Sequence, residues 1–565
     1  MIWEKKSTKK IFFFACFLIF SISTSVFAQQ NKQTQSNAAS IIPSSPPAAS
    51  PQINIQNTQN VPITTGGPKI KVNRFNIIGN TKISTSKLYA IVQPYQGEEM
   101  TLADLEKVAG LITKEYHKKG YFLARAYIPA QKIKDGVVEI MVLEGRVGKI
   151  TVTGNKHYTT KFLLSRMQPL KKAQVITRNN LEKPLLTLNS EEPKLDVNAL
   201  LSPGSEFGTT NINLITKDSL PYNLTIFYNN FGNTYTRDDR LGVLLDLGNI
   251  TGHGDVLSLG EVFPFPTTDK EWEFYNKVGY SIPVGTSGLR LGADYIRSEY
   301  NVGAALAALN IVGESTSYGL SLNYPLIGMT NESLNVFGSL NHNYYKNTIL
   351  GYTSSKDQIT SMTVGVNGQK TGPFLGTVAH DWYQVSIEQG LGDFLGGEDH
   401  PTMPSVPGAN SSFTKFNMDL SSTIKLGKCS LILRGAGQLS SKSLPIGEDF
   451  VIGGEGSVRG YPQAEYIGDE GYTANAELRT PIWPGDFFLN RYAQWAFFID
   501  NGGVRLENPL PGETSTTDIS GYGLGIRVAA TKYFNFRIDA GWPIKGLKPS
   551  DDKGVHYYFE AVARF

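Results

Sequence analysis

The stretch GYGLGIRV, residues 521–528, puts Tyr522, Leu524, Ile526 and Val528 on one side of an extended chain and Gly521, Gly523, Gly525 and Arg527 on the other. Successive side chains of a strand point to opposite faces. One face here is apolar and starts with an aromatic; the other is small or charged. The texture recurs. Tyr318, Leu320, Leu322 and Tyr324 alternate with Ser317, Gly319, Ser321 and Asn323, and Phe534, Phe536, Ile538, Ala540 and Trp542 alternate with Asn535, Arg537 and Asp539. A soluble sandwich also alternates. In this chain, however, the charges share the small-residue face while the aromatics line the other. That is the pattern of a strand with lipid outside and polar filling inside.

Working outward, sixteen such runs start near residues 222, 239, 254, 271, 288, 315, 332, 357, 378, 413, 428, 470, 492, 519, 533 and 556. Residues 221–565 thus allow roughly 22 residues per strand, enough for ~10 in the membrane plus a turn or loop. The reading is an all-β, sixteen-stranded antiparallel transmembrane barrel. An even count leaves both barrel ends on one side of the membrane. The connection after the eleventh strand, at about residues 441–469, is then the sixth loop on the other side. The chain ends on the alternating strand HYYFEAVARF, with Tyr557, Phe559, Ala561, Ala563 and Phe565 on one face.

Composition agrees. Charged residues are only 18%, while Gly (57) and Tyr (27) are abundant. After the N-terminus no window reaches ~18 apolar residues, so no transmembrane helix is expected in the mature chain. Residues 1–28 read as a secretory signal peptide: Lys5, Lys6, Lys9 and Lys10, then the apolar run Ile11 to Phe20, then Val26-Phe27-Ala28 as the cleavage site. Its removal takes away four Lys and one Glu, which brings the formal net charge of +3 to about zero. A neutral mature chain argues against a nucleic-acid partner. Only Cys429 then remains, so no intrachain disulfide can form.

Residues 29–68, rich in Gln, Asn, Ser and Pro, read as a flexible linker that cannot bury a core. Residues 69–147 then show the order β-α-α-β-β. KIKVNRFNIIG is a strand that turns at Gly79-Asn80. Ser84 can cap a short helix. Thr101 and Asp104 open a longer one with Leu102, Leu105, Val108, Leu111 and Ile112 on one face. Gly120 stops it. Strands over Phe122 to Ile128 and Val137 to Leu143 flank the turn at Asp135-Gly136. Residues 148–217 repeat the plan. KITVTGN echoes KVNRFNIIGN, with helices near Thr160 to Met167 and Arg178 to Leu188, and strands near Leu195 to Leu201 and Thr209 to Ile215.

The expected sixth loop contains FVIGGEGSVRGY, residues 450–461, in which glycines surround Arg459 and the only acidic neighbour is Glu455. A glycine-rich run of this kind also reads as a simple turn. Its tetrad Val458-Arg459-Gly460-Tyr461 resembles the loop motif of outer-membrane barrels that export or insert proteins. GYFLARAYIPAQKIKDGVVEIMVLEGRV, ending at Val147, resembles the close of a polypeptide-transport-associated (POTRA) domain, so residues 69–147 and 148–217 are taken as POTRA 1 and POTRA 2. From about residue 69 to 565 the chain resembles the B-type outer-membrane transporters of two-partner secretion, related to haemolysin and filamentous-adhesin exporters. The resemblance implies periplasmic POTRA domains that capture a large unfolded exoprotein, which crosses the barrel without ATP and folds outside. It implies contact with outer-membrane lipids, and recognition by the barrel-assembly machinery through a terminal aromatic, here Phe565.

Phe498-Ile499-Asp500-Asn501-Gly502 matches the family's Phe-x-Asp-x-Gly strand motif. Ala493, Trp495, Phe497 and Ile499 form that strand's apolar face, so Phe498 and Asp500 point inward. In the family the loop arginine reaches such an aspartate, which implies that Arg459 meets Asp500. An enclosed charge needs a partner, and an arginine fork matches a carboxylate. The competing placement leaves Asp500 in channel water and Arg459 at a lipid head group. Relatives often carry an N-terminal helix that plugs the pore, but the prolines at 43, 46 and 47 make residues 29–50 poor helix material, and residues 52–60 are no better. For the client, the resemblance points to the second helix of each POTRA unit and the neighbouring strand edge.

The seven His, at 117, 157, 253, 342, 380, 400 and 556, form no HExxH or Cys-His cluster, and there is no GxxxxGK[ST] loop or GxSxG elbow. No catalytic residue, cofactor or metal is expected. The alternatives to a secretion channel are a barrel-assembly factor, whose relatives usually carry three or more POTRA units, and a passive porin, which would carry none.

Overall fold

The computed structural model describes residues 51–55 and 67–565, apart from 233–234, 267–271, 486–487, 532 and 545–546. The expected signal peptide, the plug segment and most of the expected linker lie outside the described residues. Within the described part of that linker the reading needs correction. Ile53–Ile55 is a strand, pairing in parallel with Leu195–Pro203 through Ile53 opposite Ala199 and Ile55 opposite Leu201. Gln52 helps hold it: its N–H donates to Asn198 Oδ1 at 2.7 Å and its carbonyl accepts from Ala199 N–H at 3.0 Å. Two β-branched residues flank one Asn here, Ile53 packs on the core of the second unit, and the open sheet edge satisfies the backbone.

Two small α/β units follow, each with its own apolar core. In the first, the strand Val137–Leu143 lies between Arg74–Ile78, parallel to it, and Arg125–Tyr127, antiparallel. In the second, Thr209–Asp218 lies in the same way between Arg146–Thr153 and Leu195–Pro203. The long helix of the first unit, Leu102–Lys118, starts with a reciprocal cap between Thr101 and Asp104. Leu105, Val108, Ala109, Ile112 and Tyr116 face the core, but Leu102, the first residue of the helix, is exposed. Ser84 makes no side-chain cap; Asn80 instead donates to Thr85 Oγ1 at 3.0 Å. The second unit adds an unexpected helix, Gln168–Ala173.

The repeat extends to the turns. Gly79 (φ +84°) and Gly154 (φ +89°) each lie where a Cβ would strike a carbonyl of the central strand, Val142 O or Thr216 O. A carboxylate then caps each turn. Glu144 accepts from Thr81 N–H at 2.6 Å, Lys82 N–H at 2.7 Å and the Tyr116 hydroxyl at 2.8 Å. Asp218 accepts from the N–H groups of Lys156, His157 and Tyr158. Burial pushes both carboxyls up, but these donors outweigh it and hold each below the usual carboxylate range.

The barrel is closed and antiparallel, with sixteen strands hydrogen-bonded in sequence order around the ring. They begin at 222, 240, 256, 272, 289, 312, 332, 352, 377, 414, 429, 470, 493, 516, 534 and 556. The largest departure is the eighth strand, Tyr352–Phe374, which starts earlier than its alternation indicates and, with the seventh, Glu332–Ile349, outruns the ~10 residues a membrane needs. Residues 330–331 and 249–255 are turns at the end facing the α/β units. There the helix Arg178–Glu191 of the second unit docks. Glu182 accepts from Thr330 N–H at 2.9 Å, Lys183 lies 4.8 Å from the Tyr324 ring, and Arg166 donates to the carbonyls of Gly285 and His253. Outward positions such as Tyr318, Ile499 and Tyr557 are more than half exposed, while inward Asp500 and Asp539 are fully buried.

Candidate functional site: the tip of loop 6

The connection between the eleventh strand, Cys429–Ser440, and the twelfth, Glu470–Pro481, spans residues 441–469. It folds inward. Phe450–Ile452 pairs antiparallel with Tyr466–Gly468 as a short ribbon, and residues 453–465 form a tip. The tip is held open by backbone that L-residues rarely adopt: Gly453, Gly454 and Gly460 have φ of +106°, +90° and +105°. It carries a small core of its own, in which Phe450, Ile452, Val458 and Tyr461 pack on Val504 and Ile519 of the wall.

Arg459 sits at the centre. Its Nε donates to Asp500 Oδ2 at 2.8 Å and its Nη2 to Asp500 Oδ1 at 3.0 Å, a two-pronged fork. Its backbone N–H adds a third bond to Asp500 Oδ2 at 3.1 Å. The guanidinium lies 3.4 Å over the Phe498 ring. The structure therefore places Arg459 against Asp500, with Phe498 as the floor beneath. It does not leave the arginine at the membrane surface. Gly502 also touches the tip: a Cβ there would come within 2.9 Å of Val458 Cγ2. Gly460 N–H donates to the Tyr558 hydroxyl at 3.0 Å, Tyr558 donates to Tyr461 O at 2.7 Å, and Tyr461 donates to Leu547 O at 3.1 Å. Phe565 lies apart from this site, at the barrel seam, stacked on Tyr533 with ring centroids 6.1 Å apart.

The glycines of residues 521–528 acquire a purpose here. A Cβ on Gly521 would fall 1.8 Å from Arg459 O, one on Gly523 would meet the Phe498 ring at 2.3 Å, and one on Gly525 would overlap Asp539 Oδ1. Across the ladder, Asp500 faces Gly521 and Phe498 faces Gly523. The missing side chains form the recess that seats the tip.

Other residues of the site were not foreseen. Arg459 Nη1 donates to Glu477 Oε2 at 2.8 Å and lies 3.8 Å from Asp539 Oδ2. Arg527 links the same two carboxylates at 2.8 and 2.6 Å, and Arg479 reaches Glu477 at 2.7 Å. All lie on inward positions of their strands, so alternation marks their face though not their mutual contacts. Glu455, the acidic neighbour of Arg459 in sequence, pairs instead with Arg537, which also meets Glu560 at 3.1 Å.

The profile of the haemolysin secretion/activation protein family ShlB/FhaC/HecB matches residues 208–528, and that of the ShlB-type POTRA domain matches residues 70–145. The chain belongs to this family. It is similar to the heme/hemopexin transporter protein HuxB of Haemophilus influenzae, 27% identical over 84% of this chain and 86% of that one. It is also similar to the outer membrane transporter CdiB of Dickeya dadantii, 24% identical over 95% and 96%. The solved structure of CdiB from Escherichia coli superposes with a TM-score of 0.78 at 20% identity, covering 96% of this chain and 98% of that one, which shows a shared fold. The ShlB-type protein described here is thus an outer-membrane transporter of two-partner secretion, and its loop 6 lies folded back against the barrel wall.

Proposed function

We propose that this transporter takes one large exoprotein as an unfolded chain on its POTRA units, passes it through the barrel without ATP, and releases it at the surface. The signal peptide is cut after about Ala28, and the α/β units stand in the periplasm. In this reading the fork between Arg459 and Asp500 holds loop 6 in its resting place, and Val458, Gly460 and Tyr461 shape the tip that presents the arginine. The observation that carries it is that fork: five contacts to carboxylates and a ring converge on one loop arginine buried inside a barrel. Breaking a buried pair by removing one partner costs about 3–5 kcal/mol, enough to unseat a loop while leaving sixteen strands paired.

The test is export of the exoprotein in the native cell. Arg459→Ala should abolish export while the barrel still inserts and keeps its heat-modifiable mobility on gels. Exchanging the charges, Arg459→Asp with Asp500→Arg, should recover part of the export that each single change loses. Normal export by Arg459→Ala would remove the role assigned to the loop. Assembly of the POTRA-capture step is read separately, by crosslinking the exoprotein's first segment to residues 67–217.

A further inference from the structure

Loop 6 also buries acidic residues upstream of its tip, Glu448 and Asp449. Glu448 ends the short turn Ile446–Glu448 at the root of the loop and is 1% exposed. Lys415, on the tenth barrel strand Thr414–Leu426, is fully buried. The Lys415 ammonium contacts Glu448 Oε2, lies 3.3 Å from the Glu448 carbonyl, and lies 3.3 Å from Glu388 Oε2 on the ninth strand. Asn343 Nδ2 on the seventh strand donates to Glu448 Oε1 at 3.3 Å. Gln438 Nε2 donates to Glu448 O at 3.0 Å and to Asp469 O at 2.9 Å, tying the start of the loop to its end. Behind them Gly447 lies flat on Tyr345, where a Cβ would come within 2.6 Å of the ring.

The two anchors stand on different arcs of the wall. The seventh, ninth, tenth and eleventh strands hold the root, and the twelfth to sixteenth hold the tip. Apolar residues of similar volume would pack the root at least as stably as a buried lysine. What an ammonium between two carboxylates supplies is one geometry. That geometry matters because root and tip are joined by a three-pair ribbon whose Phe450 and Ile452 pack on the wall, and a shift at the root is carried along that ribbon to Arg459.

We propose that Lys415 is a positioning residue of loop 6: by holding Glu448 it fixes the root, so that Arg459 is delivered to Asp500 and the loop is a strap pinned at both ends. Its relevance to transport rests on the role given to loop 6 above, so the test reads the strap itself. Arg459 is a trypsin site that is buried when the tip is seated. In the purified full-length protein in detergent, trypsin cleavage after Arg459, mapped by mass spectrometry, reports seating.

Lys415→Met should raise that cleavage rate on the order of tenfold with the barrel still heat-modifiable, and Lys415→Arg should restore protection. Glu448→Gln, which leaves Lys415 its Glu388 partner and is nearly isosteric, should give a smaller rise and decides the matter if Lys415→Met does not fold. Protection unchanged in both Lys415→Met and Glu448→Gln overturns the proposal, as does a Lys415→Met effect that Lys415→Arg does not reverse. Export measured in parallel separates the two readings: faster cleavage with normal export supports the assignment of Lys415 and sinks the role of loop 6 in transport.

Discussion

At the scale of single residues, a substitution far from the motif tests the seating of Arg459 most directly. Gly521 never touches the arginine's charge, yet a methyl group there overlaps Arg459 O. Gly521→Ala is therefore expected to behave like Arg459→Ala, losing export while the barrel folds, with raised trypsin cleavage at Arg459 as the check. Gly372, which faces open space, serves as the control: Gly372→Ala should leave both unchanged. The alternation of residues 521–528 made the inward face legible as small. It could not say that the smallness is a seat, because the occupant arrives from a loop about sixty residues earlier and no period in sequence links the two. The same holds for Glu455, whose partner Arg537 sits on the fourth strand after the loop.

At the scale of elements, the two α/β units share a device that sets their response to acid. In each, a carboxylate at the end of the central strand caps the turn after the first strand. Both groups have folded-state pKa values below the ordinary one. Their contribution is thus fully present above the unfolded-state pKa and is lost as pH falls through the folded value. A soluble fragment of residues 67–220, which contains both cores, should lose thermal stability progressively below about pH 5. Glu144→Gln should cost about 1–3 kcal/mol at neutral pH and flatten that acid limb, as read by circular dichroism. An identical pH profile in the variant would assign the acid loss elsewhere. The echo of KVNRFNIIGN in KITVTGN was visible in sequence because a Gly-Asn turn is local. Pairing of Ile53–Ile55 with Leu195–Pro203 was not, because an Ile-Asn-Ile run of three residues inside a polar stretch is too short to carry a strand signal and the edge it meets lies in the second unit.

At the scale of the whole molecule, strand number and order were readable because lipid imposes one rule on every strand, and the rule repeats without reference to distant partners. What no strand announces by itself is where the ring closes. Thr225–Asn229 pairs with Glu560–Arg564, and Phe565 exchanges backbone hydrogen bonds with Leu224 at 2.8 and 3.2 Å. Phe565→Ala keeps those bonds and loses only a ring stacked on Tyr533. It should slow assembly into the membrane while leaving the finished barrel's melting temperature nearly unchanged; a large fall in that temperature would make Phe565 a stability residue rather than a signal.

The closure also fixes an order in time. The first barrel strand cannot find its second neighbour until Glu560–Arg564 is in place, so the longest-range strand pairing among the described residues is also the one that completes the ring. Loop-closure entropy makes such contacts late and slow. Until then the sheet has two bare edges, each a template for pairing with another chain. A product that stops short of residue 556 keeps both edges permanently. It should be found as a protease-sensitive aggregate and not as a smaller pore.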